Sequence, residues 1–317
     1  MKLLRIQTMF ILILSLVLIT TGCSKEEQKT VQPDTEEITK SVSSLKVGMM
    51  SAVDAAPFYH ALEAGYYEDE GVDVELVLFT NGQHRQTALQ TQQVDGAMSD
   101  LVALITQSTS DFHLIGTLST DGAFPLLASG PLTEGTTITA GTMEISVTNY
   151  LLDAYLEDRF DVEKVFINEI PARLEAVVSS QLDTGIFPEP FASIGALRNL
   201  EKLTFEGIPK ESLNIIAFTE KAIQEKESQI VGFHRAYERA VKDIQADPEL
   251  ARTALMNAIP ALPEAIRETM GLPEYHAPSL PSEAFTKEII SWTEGITGTE
   301  YAVGIKDLYD ARFIDAL

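Results

Sequence analysis

Between Leu45 and Asp100 the chain alternates apolar runs with amphipathic stretches in an order that few folds accommodate. Leu45 to Met50 is a short apolar run that predicts a strand. Pro57 comes early in the next segment, where a missing N–H costs a helix nothing, and Gly65 supplies a helix stop. Val72, Val74, Leu76 and Leu78 then alternate with Asp73 and Glu75, a period of two that marks a second strand. Asn81-Gly82 turns the chain into a helix through Thr87, Ala88 and Leu89, and Asp95-Gly96 turns it into the strand Ala97-Met98-Ser99. Strands alternating with helices at this spacing imply parallel pairing with right-handed crossovers. In such sheets the binding crevice forms at the carboxyl ends of the strands. Those ends are Ser51 to Asp54, Thr80 to Gln83, and Ser99-Asp100, polar tips on an apolar scaffold.

The second half repeats this grammar. Leu101 to Gln107 reads as a helix above the crevice, and Phe112 to Leu118 as a strand ending at Ser119-Thr120-Asp121-Gly122. Leu126 to Ser129 reads as a strand crossing to a second lobe, with Gly130-Pro131 as the boundary. Thr137 to Ala140 and Val165 to Ile167 read as strands, Val147 to Leu156 as a helix, and Pro171 opens another helix running to Ser180. Gln181-Leu182-Asp183-Thr184-Gly185-Ile186-Phe187 echoes Gln93-Val94-Asp95-Gly96-Ala97-Met98, an Asp turn between helix and buried strand in each case. Leu203 to Glu206 and Ile215 to Thr219 read as the last strand and a second crossing strand. Beyond Glu220 apolar residues recur at helical spacing (Ile223, Ile230, Phe233, Tyr237, Val241, Ile244). The expected organisation is residues 45–128 and 216–317 in one lobe and 129–215 in the other.

The amino terminus reads differently. Lys2 and Arg5 precede an apolar run from Met9 to Ile19 that is too short to span a bilayer. Thr20-Thr21-Gly22-Cys23 follows and resembles a bacterial lipobox, with Thr20 where Leu is usual. The expectation is a signal peptide over 1–22 and lipidation of Cys23. As the only cysteine, Cys23 leaves no intramolecular disulfide. Residues 23–44 are rich in Lys, Glu, Gln, Thr and Ser and read as a disordered tether. With 47 acidic against 23 basic residues, the formal charge of −24 excludes nucleic-acid binding, which needs clustered Lys and Arg.

The run PFYHALEAGYYEDEGVDVELV, Pro57 to Val77, followed by NGQHRQTALQTQQVDGAMSD, resembles the periplasmic solute-binding proteins of ABC importers. The similar group is the nitrate/sulfonate/taurine and thiamine-precursor (NMT1-like) type. That resemblance implies an α/β, two-lobe periplasmic-binding-protein fold of type II. Each lobe would be a mixed, mainly parallel sheet flanked by helices, with the ligand cleft between lobes and the C-terminal tail packed on the first. It further implies a monomeric extracytoplasmic lipoprotein, anchored to the membrane by its lipid. Such a protein takes up a small molecule by lobe closure and passes it to ABC permease and ATPase subunits. No enzyme activity, cofactor or metal is expected.

The residues agree with a binding role. There is no H-E-x-x-H, G-x-S-x-G, P-loop or dinucleotide glycine fingerprint, and His60, His84, His113, His234 and His276 lack metal-ligand spacing. A solute site needs a few fixed polar groups and an apolar or aromatic wall. The candidates are Asp54, Phe58, Tyr59, Asn81, Gly82, Gln83, Ser99, Asp100 and Thr120, with Thr142 and Glu189 facing them. Phe58 and Tyr59 are the stacking candidates; His84 and Arg85 are within reach of the cleft, but a solvated helix face is the favoured reading for both. Asp54, Asp100, Asp121, Glu144 and Glu189 make the expected crevice acidic, with few Arg or Lys at strand ends. A desolvated carboxylate repels a bound anion. An aminopyrimidine or other thiamine-related heterocycle is therefore favoured over a sulfonate, taurine or nitrate. A ligand-sensing lipoprotein and a secreted enzyme on the same fold are the remaining readings.

Overall fold

The structure, a computed structural model, describes residues 44–110 and 112–317. The expected signal peptide, Cys23 and most of the tether lie outside the described residues.

Two five-stranded sheets carry the fold. The first begins with β1 (Leu45–Met50), α1 (Ala56–Glu63), α2 (Tyr66–Asp69), β2 (Val74–Phe79), α3 (Gly82–Gln90), β3 (Gly96–Asp100), α4 (Leu101–Gln107) and β4 (Leu114–Thr120). Pro57 occupies the first turn of α1, and Gly65 takes the left-handed conformation (φ 74°) that separates α1 from α2. β1 pairs in parallel with β2 and β3.

The polar strand tips double as helix caps. The Asn81 side chain accepts from the backbone N–H groups of Gln83 and His84 at 2.7 and 3.1 Å, starting α3. Asp100 Oδ1 accepts from Ala103 N at 2.8 Å, starting α4. Short polar side chains at these turns satisfy N–H groups that the helix cannot, so a polar rim follows from the strand-to-helix connections themselves.

The second sheet comprises β5 (Leu126–Ala128), β6 (Thr137–Thr142), β7 (Asp161–Phe166), β8 (Thr184–Ile186) and β9 (Glu201–Leu203), with α5 (Val147–Leu156), α6 (Ile170–Val178) and α7 (Phe191–Leu197) between them. The chain then returns to the first sheet as β10 (Asn214–Thr219). The strand orders are β2-β1-β3-β10-β4 and β7-β6-β8-β5-β9. Each sheet thus holds one strand running antiparallel between two neighbours, β10 in the first and β5 in the second. The topology is the two-lobe α/β architecture expected from the sequence. The passages between sheets fall at 121–125 and 204–213, slightly before the expected boundaries. Gly130-Pro131 marks only the turn after β5, whose hydrogen bonds already belong to the second sheet.

The C-terminal part is helical: α8 (Glu220–Glu225), α9 (Glu227–Ala246), α10 (Glu249–Ala258), α11 (Glu283–Thr297), α12 (Ile305–Leu308) and α13 (Arg312–Asp315). Helices α9 and α10 pack on α1, α11 packs on α4, and α12 and α13 pack on β4. Ile230, Phe233, Tyr237, Val241 and Ile244 form the buried stripe of α9, as their spacing predicts. A further apolar cluster joins α4 and β10 to β6 and α5, so the two lobes share core. Among the described residues no helix is long and apolar enough to cross a membrane.

Candidate functional site

A cavity of ≈ 140 Å³ lies where the carboxyl ends of the strands of both sheets converge. Lobe one contributes the segment after β1, the β2–α3 turn, the end of β3 and Asn214. Lobe two contributes the β6–α5, β7–α6 and β8–α7 connections. The walls are mainly apolar, with Met50, Met98, Met143, Phe124 and Phe191 among them. Beside it the Asn81 amide donates a hydrogen bond to Glu169 Oε1, joining the caps of α3 and α6 across the lobes.

Four charged residues line this cavity. Asp54 is buried; its Oδ2 accepts from Thr120 Oγ1 and Asn214 Nδ2, both at 2.9 Å, and its Oδ1 has no partner among the described residues. Burial outweighs those bonds and pushes the Asp54 carboxyl up to about 6. Burial also raises Asp100, against the opposing pull of Arg85 and the first N–H groups of α4. Arg85 is buried with no side-chain hydrogen bond among the described residues. Burial pulls its pKa down, opposed by the charges of Asp100 and Asp54. Arg173 is fully buried. Its Nη1 donates to Ile167 O at 2.6 Å, its Nε and Nη2 have no partner among the described residues, and its guanidinium lies 5.3 Å from the Phe187 ring centroid. Burial alone lowers it to about 10.

Arg85, for which the sequence favoured a solvated face over the cleft, is buried, and Arg173 is the lining charge that the sequence reading did not single out. Each is the fourth residue of the helix that follows an edge strand, α3 after β2 and α6 after β7. Arg85, Ala88 and Leu89 form the buried face of α3, and Arg173, Ala176 and Val177 occupy the matching places on α6. That i, i+3, i+4 pattern was the available signal. Extending the Gln93/Gln181 echo backwards also aligns Arg85 with Arg173 and Ala88 with Ala176. His84, in contrast, is exposed, as read.

Of the sequence candidates, Asp54, Asn81, Gly82, Ser99 and Asp100 line the cavity. Thr120 stands behind it as a donor to Asp54, and Thr142 donates to the lining residue Thr148 at 3.0 Å. Gln83 is exposed on α3. Phe58 and Tyr59 lie in the core rather than the cavity wall. Phe58 packs on Phe233 and Tyr237 at ring-centroid distances of 5.2 and 4.7 Å, because the inner face of α1 meets α9. Glu189 is fully buried outside the cavity lining, accepting from Lys202 Nζ at 2.7 Å, Ser193 N at 3.0 Å and Gly271 N at 3.3 Å. Asp121 bonds His276 and Glu144 is exposed. The acidic side chains at the cavity therefore reduce to Asp54 and Asp100, and two arginines stand with them.

A family model described as the NMT1-like family matches residues 39–257. No curated protein matches the chain. Among solved structures, the ligand-binding component of an ABC-type import system from Staphylococcus aureus, with zinc bound, superposes at a TM-score of 0.75. It is 11% identical, over 86% of this chain and 98% of that one. The periplasmic aliphatic sulphonate binding protein SsuA from Escherichia coli gives 0.61 at 13% identity, over 80% and 85%. The alkanesulfonate-binding protein SsuA from Xanthomonas axonopodis pv. citri, bound to MOPS, gives 0.61 at 16% identity, over 80% and 90%. At these identities the likeness is one of fold.

Proposed function

The chain belongs to the NMT1-like family, and from that premise we propose that it is the extracytoplasmic substrate-binding component of an ABC importer. It captures a small organic solute between its lobes and hands it to a permease driven by ATPase subunits. The observation that carries this reading is the placement of buried, incompletely bonded charges from both lobes around one cavity: Asp54 and Arg85 from the first, Arg173 from the second. Unsatisfied buried charge is costly, and a ligand touching both lobes supplies the missing partners only when they are closed.

Two ligand readings follow from different residues. The aminopyrimidine reading draws on the free Oδ1 of Asp54 and on the Phe124 and Phe191 walls. Its original premise, a cleft poor in basic residues, is weakened by Arg85 and Arg173. Those two arginines support an oxyanion, the sulfonate, taurine or nitrate reading. Attachment to the membrane through a lipidated Cys23 and action as a monomer belong to the same proposal.

A thermal-shift panel on the detergent-solubilised full chain tests it, with aminopyrimidines, thiamine, alkanesulfonates, taurine and nitrate as probes. A solute at a hundred times its dissociation constant adds about 2.7 kcal/mol, a shift of several degrees. Saturable stabilisation is expected, and its abolition by Arg85→Ala ties it to the cavity. Stabilisation that survives Arg85→Ala unchanged removes the cavity from the reading. Mass spectrometry of the chain from a bacterial membrane tests for acylated Cys23, which Cys23→Ser must abolish.

A further inference from the structure

The charges around the cavity are not equally compensated. On lobe one Arg85 lies in the field of both Asp100 and Asp54, one guanidinium shared by two carboxylates. Among the described residues Asp54 forms no direct ion pair and its Oδ1 has no hydrogen-bond partner, and it feels additional negative charge from Asp121. Arg173, on lobe two, forms no ion pair among the described residues; there a carbonyl and an aromatic face are its partners, and Nε and Nη2 have none. Lobe one thus brings two carboxylates and one guanidinium to the cavity, an excess of one negative charge, and lobe two brings one guanidinium without a carboxylate.

We propose that the cavity selects a small zwitterion, its cationic group on Asp54 of the first lobe and its oxyanion on Arg173 of the second. A buried ion without a partner costs several kcal/mol, so an occupant of single charge leaves one of the two uncompensated. A dipolar occupant relieves both at once and in only one orientation. The carboxylate Oδ1 accepts from an ammonium, and the adjacent Nε and Nη2 donors of one guanidinium suit the two oxygens of a carboxylate. Between the poles, Met50, Met98 and Met143 present apolar walls to a short aliphatic spacer, and the ≈ 140 Å³ volume keeps the solute small. Because the poles sit on different lobes, the solute also reports closure. This inference rests on reading the cavity as the solute site.

The test is calorimetric titration of the full chain with probes differing only in charge: glycine, β-alanine and 4-aminobutanoate against butanoate, butylamine and butanamide. Ethanesulfonate, nitrate and an aminopyrimidine complete the set. The expected result is an ω-amino acid binding at least tenfold tighter than butanoate or butylamine. Asp54→Asn should cost that amino acid tenfold or more while sparing butanoate, and Arg173→Gln should spare butylamine alone. If Arg173→Gln does not fold, Arg173→Lys, which keeps the charge but not the paired donors, should still weaken the amino acid. Equal or tighter binding of a singly charged or neutral probe overturns the zwitterion assignment and leaves the importer reading standing. Failure of every probe overturns the assignment and the solute-binding reading together.

Discussion

Asp95 and Asp183 make the same pair of hydrogen bonds in the two sheets. Asp95 N donates to Lys46 O at 2.8 Å, and Lys46 N donates back to Asp95 Oδ2 at 2.8 Å. Asp183 N donates to Thr139 O at 3.1 Å, and Thr139 N donates back to Asp183 Oδ2 at 2.8 Å. Both turns are preceded by a residue of positive φ, Gln92 at 55° and Ser180 at 56°. The repeated Asp therefore locks a helix-to-strand turn onto the strand beside it, once per lobe.

The two turns differ in what else they hold. Asp95 Oδ2 also accepts from Lys226 Nζ at 2.7 Å, whereas the carboxylate of Asp183, more exposed, adds the Thr139 hydroxyl alone among the described residues. Asp95→Ala should cost about 2–3 kcal/mol and Asp183→Ala about 1 kcal/mol in urea unfolding. Equal losses would mean that Lys226 contributes nothing.

Phe58→Ala should destabilise the protein by about 3–5 kcal/mol, the range for emptying an aromatic site in a packed core. Solute affinity at a temperature where the variant stays folded should not change. Lost binding in folded protein would return Phe58 to the cavity.

Two buried groups titrate with opposite sign. The His234 Nδ1–H donates to Ile230 O at 2.7 Å and its Nε2 accepts from Thr117 Oγ1 at 3.0 Å; burial lowers its pKa from 6.5 to about 4. Between those values the unfolded chain binds a proton that the native state refuses, so His234 removes stability as pH falls from 6.5 to about 4. Asp54, raised from 3.8 to about 6, binds its proton in the native state first and so adds stability as pH falls through that window. Each amounts to ~3 kcal/mol, and the two offset each other. Melting His234→Gln between pH 7 and 4 should expose the rise, and melting Asp54→Asn should steepen the fall. Parallel profiles for both variants and the native chain would refute the assignment.

Glu189→Ala should cost about 3–5 kcal/mol, because it leaves the Lys202 ammonium facing a buried void and frees the N–H groups of Ser193 and Gly271. Glu189→Gln keeps an acceptor and should cost clearly less in the same denaturation experiment. A neutral Glu189→Ala would show that water replaces the carboxylate.

The sequence by itself determined the alternation of strands and helices, because periods of two and of 3.6 register which face of each element meets the core. It also placed Asn81 and Asp100 at the crevice, since helix caps are local chemistry read from adjacent residues. The Asp95/Asp183 echo was legible for the same reason. Which lobe β5 joins was decided only by the tertiary structure, because sheet membership depends on partners far along the chain. So were the burial of Arg85 and Arg173 beside the cavity and the withdrawal of Phe58, Tyr59 and Glu189 from its lining. A charged residue near a helix start has the same local pattern whether its face meets solvent or an opposing lobe. Only the packing of the second sheet against the first makes that face an interior.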